Sequence, residues 1–320
     1  MSELRWNPQL QQWVIVATHR QDRTYKPPAE FCPLCPTKPG AFPTEIPQDD
    51  YEIVVFENKF PSLKTPPPKM SVSGSHLYPV APAQGICEVI CYSPDHNLTL
   101  GDASAEHIHN LIQVWTDRYR ELGKKPGIEY VFIFENRGEA VGVTLHHPHG
   151  QIYAFGFIPP ILEKELASAK QHKDKTGNCL YCDILKQEID EGVRIVCDNQ
   201  SFTAFVPFYA RFPYEVHILS KRHLGALTDL SGQEQFDLAS ILKKLITLYD
   251  NLFGFTLPYL MVLHQTPTKK ACPEYHFHFE FYPFNRSESK MKYLAGVESG
   301  AGTFITDMSP EEQARRLRGE

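Results

Sequence analysis

The sequence predicts an α+β protein made of two similar units in tandem. Two Cys-x-x-Cys pairs, beginning at Cys32 and Cys179, each precede the same series of features: an alternating segment that ends in a histidine, a long amphipathic helix, a short strand, and two histidines spaced two apart. The corresponding histidines of the two series lie 127 or 129 residues apart. Such constant spacing is hard to obtain by chance, so we predict units at 1–165 and 166–320, each with a long helix packed on mostly antiparallel sheet.

The composition is that of an ordinary globular protein. Of the 320 residues, 42% are hydrophobic and 22% are charged, which excludes collagen, coiled coil and disordered chains. The net charge of -6 gives no electrostatic reason to expect nucleic acid or an anionic membrane as a partner. No apolar run approaches the roughly 18 residues that a membrane span requires. The polar N-terminus lacks the pattern of a signal peptide, so we expect a cytoplasmic protein with reduced cysteines.

Three segments of the first unit carry secondary-structure signals. Residues 85–96 alternate between apolar and polar side chains and predict a strand that runs into a histidine. Apolar side chains recur at helical spacing over 104–122, after a possible cap at Ser104. The short apolar run 130–134 predicts a second strand.

The second unit repeats these signals in the same order. Residues 212–223 predict a strand, and 231–253 predict a helix in which Ser231 and Glu234 form a capping box. The run 259–263 predicts the strand that follows the helix.

Three further segments lie outside the repeat. The stretch 61–82 contains six prolines, and we expect an extended surface loop because proline cannot donate to a sheet ladder. The segment 158–176, which ends in a polar run, is the predicted junction between the units. Residues 285–320 are predicted to form a tail that ends in a short helix.

Four candidate metal ligands recur in the same order in each unit. They are Cys32, Cys35, His96 and His147 in the first unit, and Cys179, Cys182, His223 and His276 in the second. Two thiolates and two imidazoles suit tetrahedral Zn²⁺, and four protein ligands would make each ion structural. In a cytosolic chain, a Cys-x-x-Cys pair can instead be a redox pair or two small core residues. We predict one structural zinc ion in the first unit and a second one in the repeat.

Another ligand set competes for the metal of the second unit. Its members, rich in nitrogen and carboxylate, are Glu165, His264, His276 and His278. Such a set suits Fe or Zn. Because His276 belongs to both sets, we expect that only one of them can be filled. The internal repeat favours the set with Cys179 and Cys182.

The candidate nucleophile lies beside the first metal site. His147 and His149 share one face of an extended segment, so a zinc-bound His147 would hold His149 on a rigid platform and leave it free to react. A neutral imidazole attacks phosphorus well and leaves well once phosphorylated, which suits nucleotidyl transfer by double displacement. The candidate donors to a diphosphate are the backbone N–H groups of Gly142, Val143 and Thr144, the Gln151 amide, and the guanidinium groups of Arg20 and Arg23. The alternative is a histidine cluster that serves only metal.

These motifs resemble those of the galactose-1-phosphate uridylyltransferase family, within the histidine-triad superfamily. The resemblance covers nearly the whole chain, and its most specific motif is His-Pro-His-Gly-Gln at 147–151. The other matching segments are 13–20 with Arg23, 32–35, 56–58, 93–96, 134–136, 249–253 and 292–298. The resemblance implies tandem histidine-triad-like units and a covalent uridylyl intermediate on His149. UMP would pass from UDP-glucose to galactose 1-phosphate, giving glucose 1-phosphate and UDP-galactose.

The resemblance also implies roles for individual residues. Gln151 would bind the transferred phosphoryl group, and phosphates would be bound by Arg20, Arg23, Asn136 and Thr144. Phe56 and Asn58 would contact the uridine, while the hexose would be held by the segment with Lys292, Tyr293 and Glu298. The resemblance assigns Cys32, Cys35, His96 and His147 to zinc, and Glu165, His264, His276 and His278 to a second, iron-type site. The pair Cys179 and Cys182 is absent from some members of the family. A homodimer that shares site residues between subunits is implied as well.

Three positions depart from the family pattern and leave the nucleobase and hexose preferences open. Lys59 stands where the family commonly has an Asp, and Thr144 stands where it has a Ser. In the tail loop, where the family has a Gln, this chain has the apolar residues Phe304 and Ile305. Two alternative functions therefore remain. One is a nucleotide-sugar phosphorylase, such as ADP-glucose phosphorylase, which would keep His149 but use inorganic phosphate as the acceptor. The other is a zinc-stabilised binding module without catalysis.

Overall fold

Five α-helices lie within residues 2–22, 26–40 and 42–320, which are the residues that this computed structural model describes. They are α1 (Ala105–Lys124), α2 (Pro160–Thr176), α3 (Leu180–Glu191), α4 (Gly232–Leu252) and α5 (Pro310–Leu317). The Ser104 hydroxyl accepts a hydrogen bond from the His107 amide, and Ser231 with Glu234 forms the capping box at α4. The two predicted long helices and their caps are therefore confirmed, because local capping chemistry determines where each begins.

Twelve strands lie in the same described ranges. They are β1 (Ser2–Asn7), β2 (Gln12–Ala17), β3 (Val54–Glu57), β4 (Val80–Pro82), β5 (Gly85–Cys91), β6 (Tyr130–Arg137), β7 (His149–Phe155), β8 (Ile195–Asp198), β9 (Phe202–Phe205), β10 (Val216–Ser220), β11 (Tyr259–His264) and β12 (His278–Pro283). Strands β2, β1 and β4 form a small sheet, and the other nine form one large sheet.

The large sheet joins the two halves of the chain edge to edge. Its order is β3-β5-β7-β6-β11-β12-β10-β9-β8, and its strand pairs are antiparallel. The halves meet where β6 pairs with β11, so that β5-β7-β6 of the first half is repeated in reverse order by β11-β12-β10 of the second. The predicted α+β class with mostly antiparallel sheet is confirmed.

The main core lies between this sheet and the paired helices α1 and α4. Trp115, Ile112 and Leu242 on the helices, together with Ile152 and Phe279 on β7 and β12, are at most 1% exposed. Apolar side chains on β7 alternate with half-buried ones on the opposite face, which carries His149 and Gln151. The core therefore fixes one face of β7 and leaves the other face to form a site.

Some connecting segments differ from the prediction. The junction 158–176 is largely the helix α2, and the boundary at 165 and 166 falls inside it, so the division into two units remains a prediction. The extended loop at 61–82 ends in β4, which pairs with β1 in the N-terminal hairpin. Sequence reasoning assigned no strand to that hairpin. None of the helices in the described ranges combines the length and apolar character needed to span a membrane.

Candidate active site

His149 is held at the start of β7 by its own backbone. The ring Nδ1 lies 2.7 Å from the carbonyl oxygen of His147 and donates to it, which leaves Nε2 as the nitrogen with a free lone pair. Strands β5 and β6 flank β7 on both sides, so the backbone under His149 is rigid. Burial lowers the pKa of His149, which keeps the imidazole neutral at neutral pH.

A cleft opens on the His149 side of the sheet. Its polar lining consists of Asn58, Asn136, Gly142, Val143, Thr144, His149 and Gln151. Its apolar lining consists of Pro33, Leu34, Phe56, Phe60, Val89 and Leu145. Glu45 and Lys59 are the charged lining residues, and Lys59 Nζ lies 2.6 Å from Glu45 Oε1. An apolar wall suits a nucleobase, while amide and backbone donors near His149 suit phosphate oxygens.

The loop before His147 presents backbone groups to this cleft. Gly142 has a φ of 81°, in the left-handed region that favours glycine, and directs the chain from a short 3₁₀ turn into Val143 and Thr144. The Glu139 carboxylate holds the loop through Lys26 Nζ at 2.6 Å and His146 Nε2 at 3.1 Å. The three predicted loop residues therefore share one cleft with His149, but the Gly142 N–H already donates to the Glu139 carbonyl at 2.9 Å.

The predicted arginines do not line the cleft in the described part of the chain. Arg20 Nη1 donates to the Phe60 carbonyl at 2.8 Å and to the Tyr153 hydroxyl at 3.3 Å, so the guanidinium lies next to the cleft wall. Arg23 lies outside the described residues. A phosphate role for either arginine stays a prediction.

The predicted hexose residues lie in the C-terminal tail. Lys292 is buried, and its Nζ donates to Glu298 Oε1 at 2.9 Å and to the Ile305 carbonyl at 2.6 Å. Tyr293 is 74% exposed, whereas Phe304 packs against Phe212. None of Lys292, Tyr293 and Glu298 lines the described cleft of the same chain.

The first predicted zinc set converges beside His149. The ligand atoms of Cys32, Cys35, His96 and His147 all lie within 4.8 Å of one another. The Cys35 Sγ is 3.4 Å from His96 Nδ1 and 3.5 Å from His147 Nδ1. His147 Nε2 donates to the Ser93 carbonyl at 2.8 Å, which directs the Nδ1 lone pair toward the thiols. Burial lowers the pKa of His147 to about 4, so its imidazole is neutral and able to bind metal.

The second predicted set has the same geometry. The ligand atoms of Cys179, Cys182, His223 and His276 also lie within 4.8 Å of one another. Cys182 Sγ is 3.5 Å from Nδ1 of both His223 and His276, and His276 Nε2 lies 2.7 Å from Ser220 Oγ. Both sets therefore offer two sulfurs and two Nδ1 atoms to one ion.

In the structure His276 lies with the cysteine set, and which of the two sets holds a metal ion stays a prediction. His276 turns its Nδ1 to the thiol of Cys182, while the other three members of the competing set gather around a residue that sequence reasoning missed. That group consists of Glu165, His264, His278 and Glu280. Glu280 follows His278 by two residues on β12 and so shares its face, which is a signal that alternation along the strand could have supplied.

Several residues of the cleft were also missed. Pro33 and Leu34 stand between the two cysteines of the first set, so the proximity of that set to His149 could have placed them. Glu45 belongs to no sequence motif. Its position depends on how residues 42–50 pack against the Cys32 loop, where the backbone N–H of Glu45 donates to the Pro33 carbonyl at 3.0 Å.

Comparison with known proteins finds one family for two consecutive parts of the chain. Residues 1–159 match the N-terminal domain, and residues 165–319 the C-terminal domain, of galactose-1-phosphate uridyl transferase. The chain is 41% identical to a galactose-1-phosphate uridylyltransferase of Thermotoga maritima, over 99% of this chain and 98% of that one. This chain belongs to the galactose-1-phosphate uridylyltransferase family.

Solved structures agree with this family membership. A uridylyltransferase structure superimposes with a TM-score of 0.88 at 35% identity, over 99% of this chain and 97% of that one. An ADP-glucose phosphorylase from Arabidopsis thaliana superimposes with a TM-score of 0.74 at 23% identity, over 100% of this chain and 99% of that one. The second likeness is one of fold alone, so the family relatives favour uridylyl transfer over phosphorolysis.

Proposed function

We propose that this protein is a UDP-glucose–hexose-1-phosphate uridylyltransferase. It transfers UMP from UDP-glucose to galactose 1-phosphate in galactose metabolism, as the names of its relatives indicate. One observation carries the proposal: the His149 Nδ1 is engaged by the His147 carbonyl, so the remaining ring nitrogen is available to a ligand in the cleft. A nucleophile that is oriented in this way suits a covalent two-step transfer.

The transfer proceeds by two displacements at the same phosphorus. In the first, the lone pair of His149 Nε2 attacks the α-phosphorus of UDP-glucose, the bond from phosphorus to the bridging oxygen breaks, and glucose 1-phosphate leaves. In the second, a phosphate oxygen of galactose 1-phosphate attacks the uridylyl phosphorus, the N–P bond breaks, and UDP-galactose leaves. His149 returns to its neutral form after each cycle, so no external oxidant or reductant is needed.

The cleft residues orient the substrate for this reaction. The Gln151 amide and the backbone N–H groups of Val143 and Thr144 donate to phosphoryl oxygens, where donors fixed in advance stabilise charge that develops in the transition state. The Gly142 N–H is engaged by the Glu139 carbonyl at 2.9 Å, so Gly142 serves to shape the loop. Asn136 on β6 adds another amide near Gln151, since Phe134, two residues earlier on the same face of β6, pairs with Gln151 across the strands. Phe56 and Asn58 receive the uridine against the apolar wall.

In this proposal the metal ions would be structural and would take no part in the reaction. Zinc would fit the two Cys₂His₂ sets because each offers two sulfurs and two imidazole nitrogens. In each set one histidine, His147 or His276, also has its opposite ring nitrogen hydrogen-bonded. In the first set, His147 supplies both a ligand nitrogen and the carbonyl that orients His149. We assign that set to a structural ion that positions the nucleophile.

The hexose end of the site requires a second subunit in this proposal. Lys292, Tyr293 and Glu298 lie in the tail and not in the cleft of the same chain, so their predicted contact with the hexose is best met in a homodimer whose tail reaches the partner's cleft. The substrates are small nucleotide sugars and hexose 1-phosphates. All eight cysteines are free thiols in the structure, which suits a cytoplasmic location.

Intact-mass measurement after rapid quenching tests the covalent step. The metal-loaded protein is mixed with UDP-glucose or, separately, with ADP-glucose. We expect a UMP adduct from UDP-glucose with release of glucose 1-phosphate. In His149→Ala we expect no adduct and a loss of turnover of at least about 10⁴-fold. The exposed His76 provides the matched control, because His76→Ala should form the adduct like the unaltered chain.

The other outcomes separate the competing functions. An AMP adduct formed in preference to a UMP adduct would identify a phosphorylase, which would then turn over with inorganic phosphate. Absence of an adduct from either nucleotide sugar would contradict covalent catalysis and leave a binding module. A UMP adduct that disappears in His149→Ala but persists in His76→Ala leaves only the uridylyl mechanism.

A further inference from the structure

Gly150 is the residue of β7 that faces the protein core between His149 and Gln151. Successive positions of a strand face opposite sides, so the two cleft residues are separated by a buried position that turns inward. A Cβ at Gly150 would lie 2.2 Å from the Tyr92 hydroxyl oxygen and 3.0 Å from the ring carbon that carries it. The Tyr92 hydroxyl therefore occupies the space that a side chain at position 150 would need.

Tyr92 is joined to the same segment through its backbone. It follows β5 directly, and its N–H donates to the Pro148 carbonyl at 3.0 Å. Its side chain is 1% exposed, and the ring packs edge-to-face against Trp115 of α1, with the ring centroids 6.4 Å apart. Because side chains in a close-packed core have little room to move, the hydroxyl is held against Gly150.

A buried carboxyl lies on the other side of Gly150. Phe134 on β6 pairs with Gln151, so the next residue, Glu135, lies beside Gly150 and faces the core. Glu135 is 5% exposed, and within the described residues neither its Oε2 nor the neighbouring Tyr92 hydroxyl has a well-angled hydrogen bond. Burial raises the pKa of Glu135 to about 7, and the Tyr92 hydroxyl is among the groups that act to lower it. Polar groups buried this deeply are costly to leave unpaired, which keeps the carboxyl and the hydroxyl together beside Gly150.

A second phenol faces the same carboxyl from farther away. Tyr259 on β11 is fully buried, and its hydroxyl also has no well-angled hydrogen bond in the described part of the chain. Tyr259 pairs with Arg137 in the sheet, and that guanidinium lies 4.3 Å from the centre of its ring. Strand β6 separates β11 from β7, so Tyr259 lies on a strand about 10 Å from Gly150. The two phenols share Glu135 as a neighbour but differ in their distance from Gly150.

We propose that Tyr92 is a positioning residue of the transfer reaction, whose hydroxyl supports Gly150 from the core side and thereby fixes the placement of His149 and Gln151 in the cleft. The proposal rests on the proposed function, because it concerns the same nucleophile. Tyr92 does not line the cleft and acts through the backbone of β7. A small shift of Gly150 would move both cleft residues, and a misplacement of about 1 Å can cost about 100-fold in rate.

The rate of UMP-adduct formation on His149 tests the proposal in the metal-loaded, full-length protein. It is measured by rapid quenching at a series of UDP-glucose concentrations. We expect Tyr92→Phe to lower the maximal rate by about 10-fold, while the half-saturating UDP-glucose concentration changes by less than about threefold. Tyr259→Phe is the matched control, because it also removes a buried hydroxyl near Glu135 but should change the maximal rate by less than about threefold.

A double variant distinguishes positioning from general packing. Gly150→Ala alone should lower the maximal rate by about 10- to 100-fold, because its Cβ meets the Tyr92 hydroxyl. When Tyr92→Phe is added, the hydroxyl is gone and the new methyl group takes its space, with the ring carbon at 3.0 Å. We expect the double variant to react at least about fivefold faster than Gly150→Ala, since residues in contact have non-additive effects.

The imidazole NMR signals of His149, recorded without substrate, give a second readout that does not depend on turnover. They should shift in Tyr92→Phe and stay in place in Tyr259→Phe. If the unaltered protein forms no adduct, the proposed transfer fails, and these signals decide the role of Tyr92 by themselves.

Three results would overturn the role of Tyr92. One is an unchanged rate of adduct formation in Tyr92→Phe, and another is a double variant whose loss equals the product of the two single losses. The third is a set of His149 signals that Tyr92→Phe leaves in place. If Gly150→Ala does not fold, the comparison of Tyr92→Phe with Tyr259→Phe answers the same question.

Discussion

The two His-x-His segments of this protein have the same local geometry but different surroundings. In each, Nδ1 of the first histidine faces a thiol, and the carbonyl of the first histidine accepts a hydrogen bond from Nδ1 of the second. The distances from the second ring to that carbonyl are 2.7 Å for His149 and 3.0 Å for His278. In both halves the ring nitrogen that does not contact this carbonyl is therefore Nε2, and in His278 it lies 3.3 Å from Glu280 Oε1.

His149 and His278 differ in the elements that pack over them. His149 borders an open cleft, while the Tyr181 ring of α3 lies 4.7 Å from the His278 ring and α2 brings Glu165 into the same region. The residue two positions later differs as well, since Gln151 can donate to a phosphate and Glu280 carries a negative charge. The same backbone arrangement can thus place a histidine at an open cleft or beside a buried carboxylate, according to the elements packed above it.

The largest expected effect in this comparison comes from the two cysteine sets. We expect Cys35→Ser and Cys182→Ser each to lose one metal equivalent and to lower stability. Cys35→Ser should also lower kcat by about 100-fold, because a loosened His147 no longer fixes the carbonyl that orients His149. Cys182→Ser should change kcat by less than about threefold. The histidine beside Cys182 is His276, whose carbonyl orients the buried His278 and no residue of the cleft.

Steady-state kinetics on folded, purified variants, with metal content measured on the same samples, checks this expectation. The asymmetry between the two halves would be refuted by equal losses of kcat in the two serine variants.

A smaller effect on kcat is expected from the residue in the middle of each segment, which is Gly150 between His149 and Gln151, and Phe279 between His278 and Glu280. A Cβ at Gly150 would lie 2.2 Å from the Tyr92 hydroxyl oxygen and 3.2 Å from the Phe134 carbonyl oxygen. Gly150→Ala should therefore displace His149 and Gln151 and lower kcat by about 10- to 100-fold. Phe279, its counterpart, is fully buried, so Phe279→Ala should cost about 3–5 kcal/mol of stability with little change in kcat.

Urea unfolding and kcat measured on both variants test this contrast. Loss of stability without loss of kcat in Gly150→Ala would show that the strand below His149 can shift without disturbing the chemistry.

The smallest expected effect concerns the charged pair at the cleft. Lys59 is 63% exposed where it meets Glu45, so water and salt screen its charge. Lys59→Met should raise the KM for UDP-glucose by less than about fivefold at low salt, leave kcat unchanged, and lose its effect at high salt. Lys170→Met, which removes a similar exposed ion pair with Asp174 on α2, is the matched control and should change neither constant. A fall in kcat for Lys59→Met would place the ammonium group in the chemical step instead.

Much of the fold and the site was predictable from short stretches of sequence. The helices over 104–122 and 231–253 follow from apolar spacing and serine caps, and the two Cys₂His₂ sets follow from ligand type and repeated order. The hairpin of β1 and β2 was missed. The ion pair between Glu45 and Lys59 had no signal, because it joins residues 14 apart in a region without periodicity.

The sequence by itself determined the two long helices with their serine caps and the membership of the two cysteine-containing ligand sets, because spacing, capping and ligand chemistry are local properties. From the same local signals it predicted the duplication and the nucleophile. Only the tertiary structure decided that His149 borders a cleft and His278 does not, since that depends on α2 and α3 packing over one half of the sheet. It also placed His276 beside Cys182 and brought Glu280 to the group of Glu165, His264 and His278. Those outcomes depend on contacts between residues up to about a hundred positions apart, and burial there determines which charges must be paired.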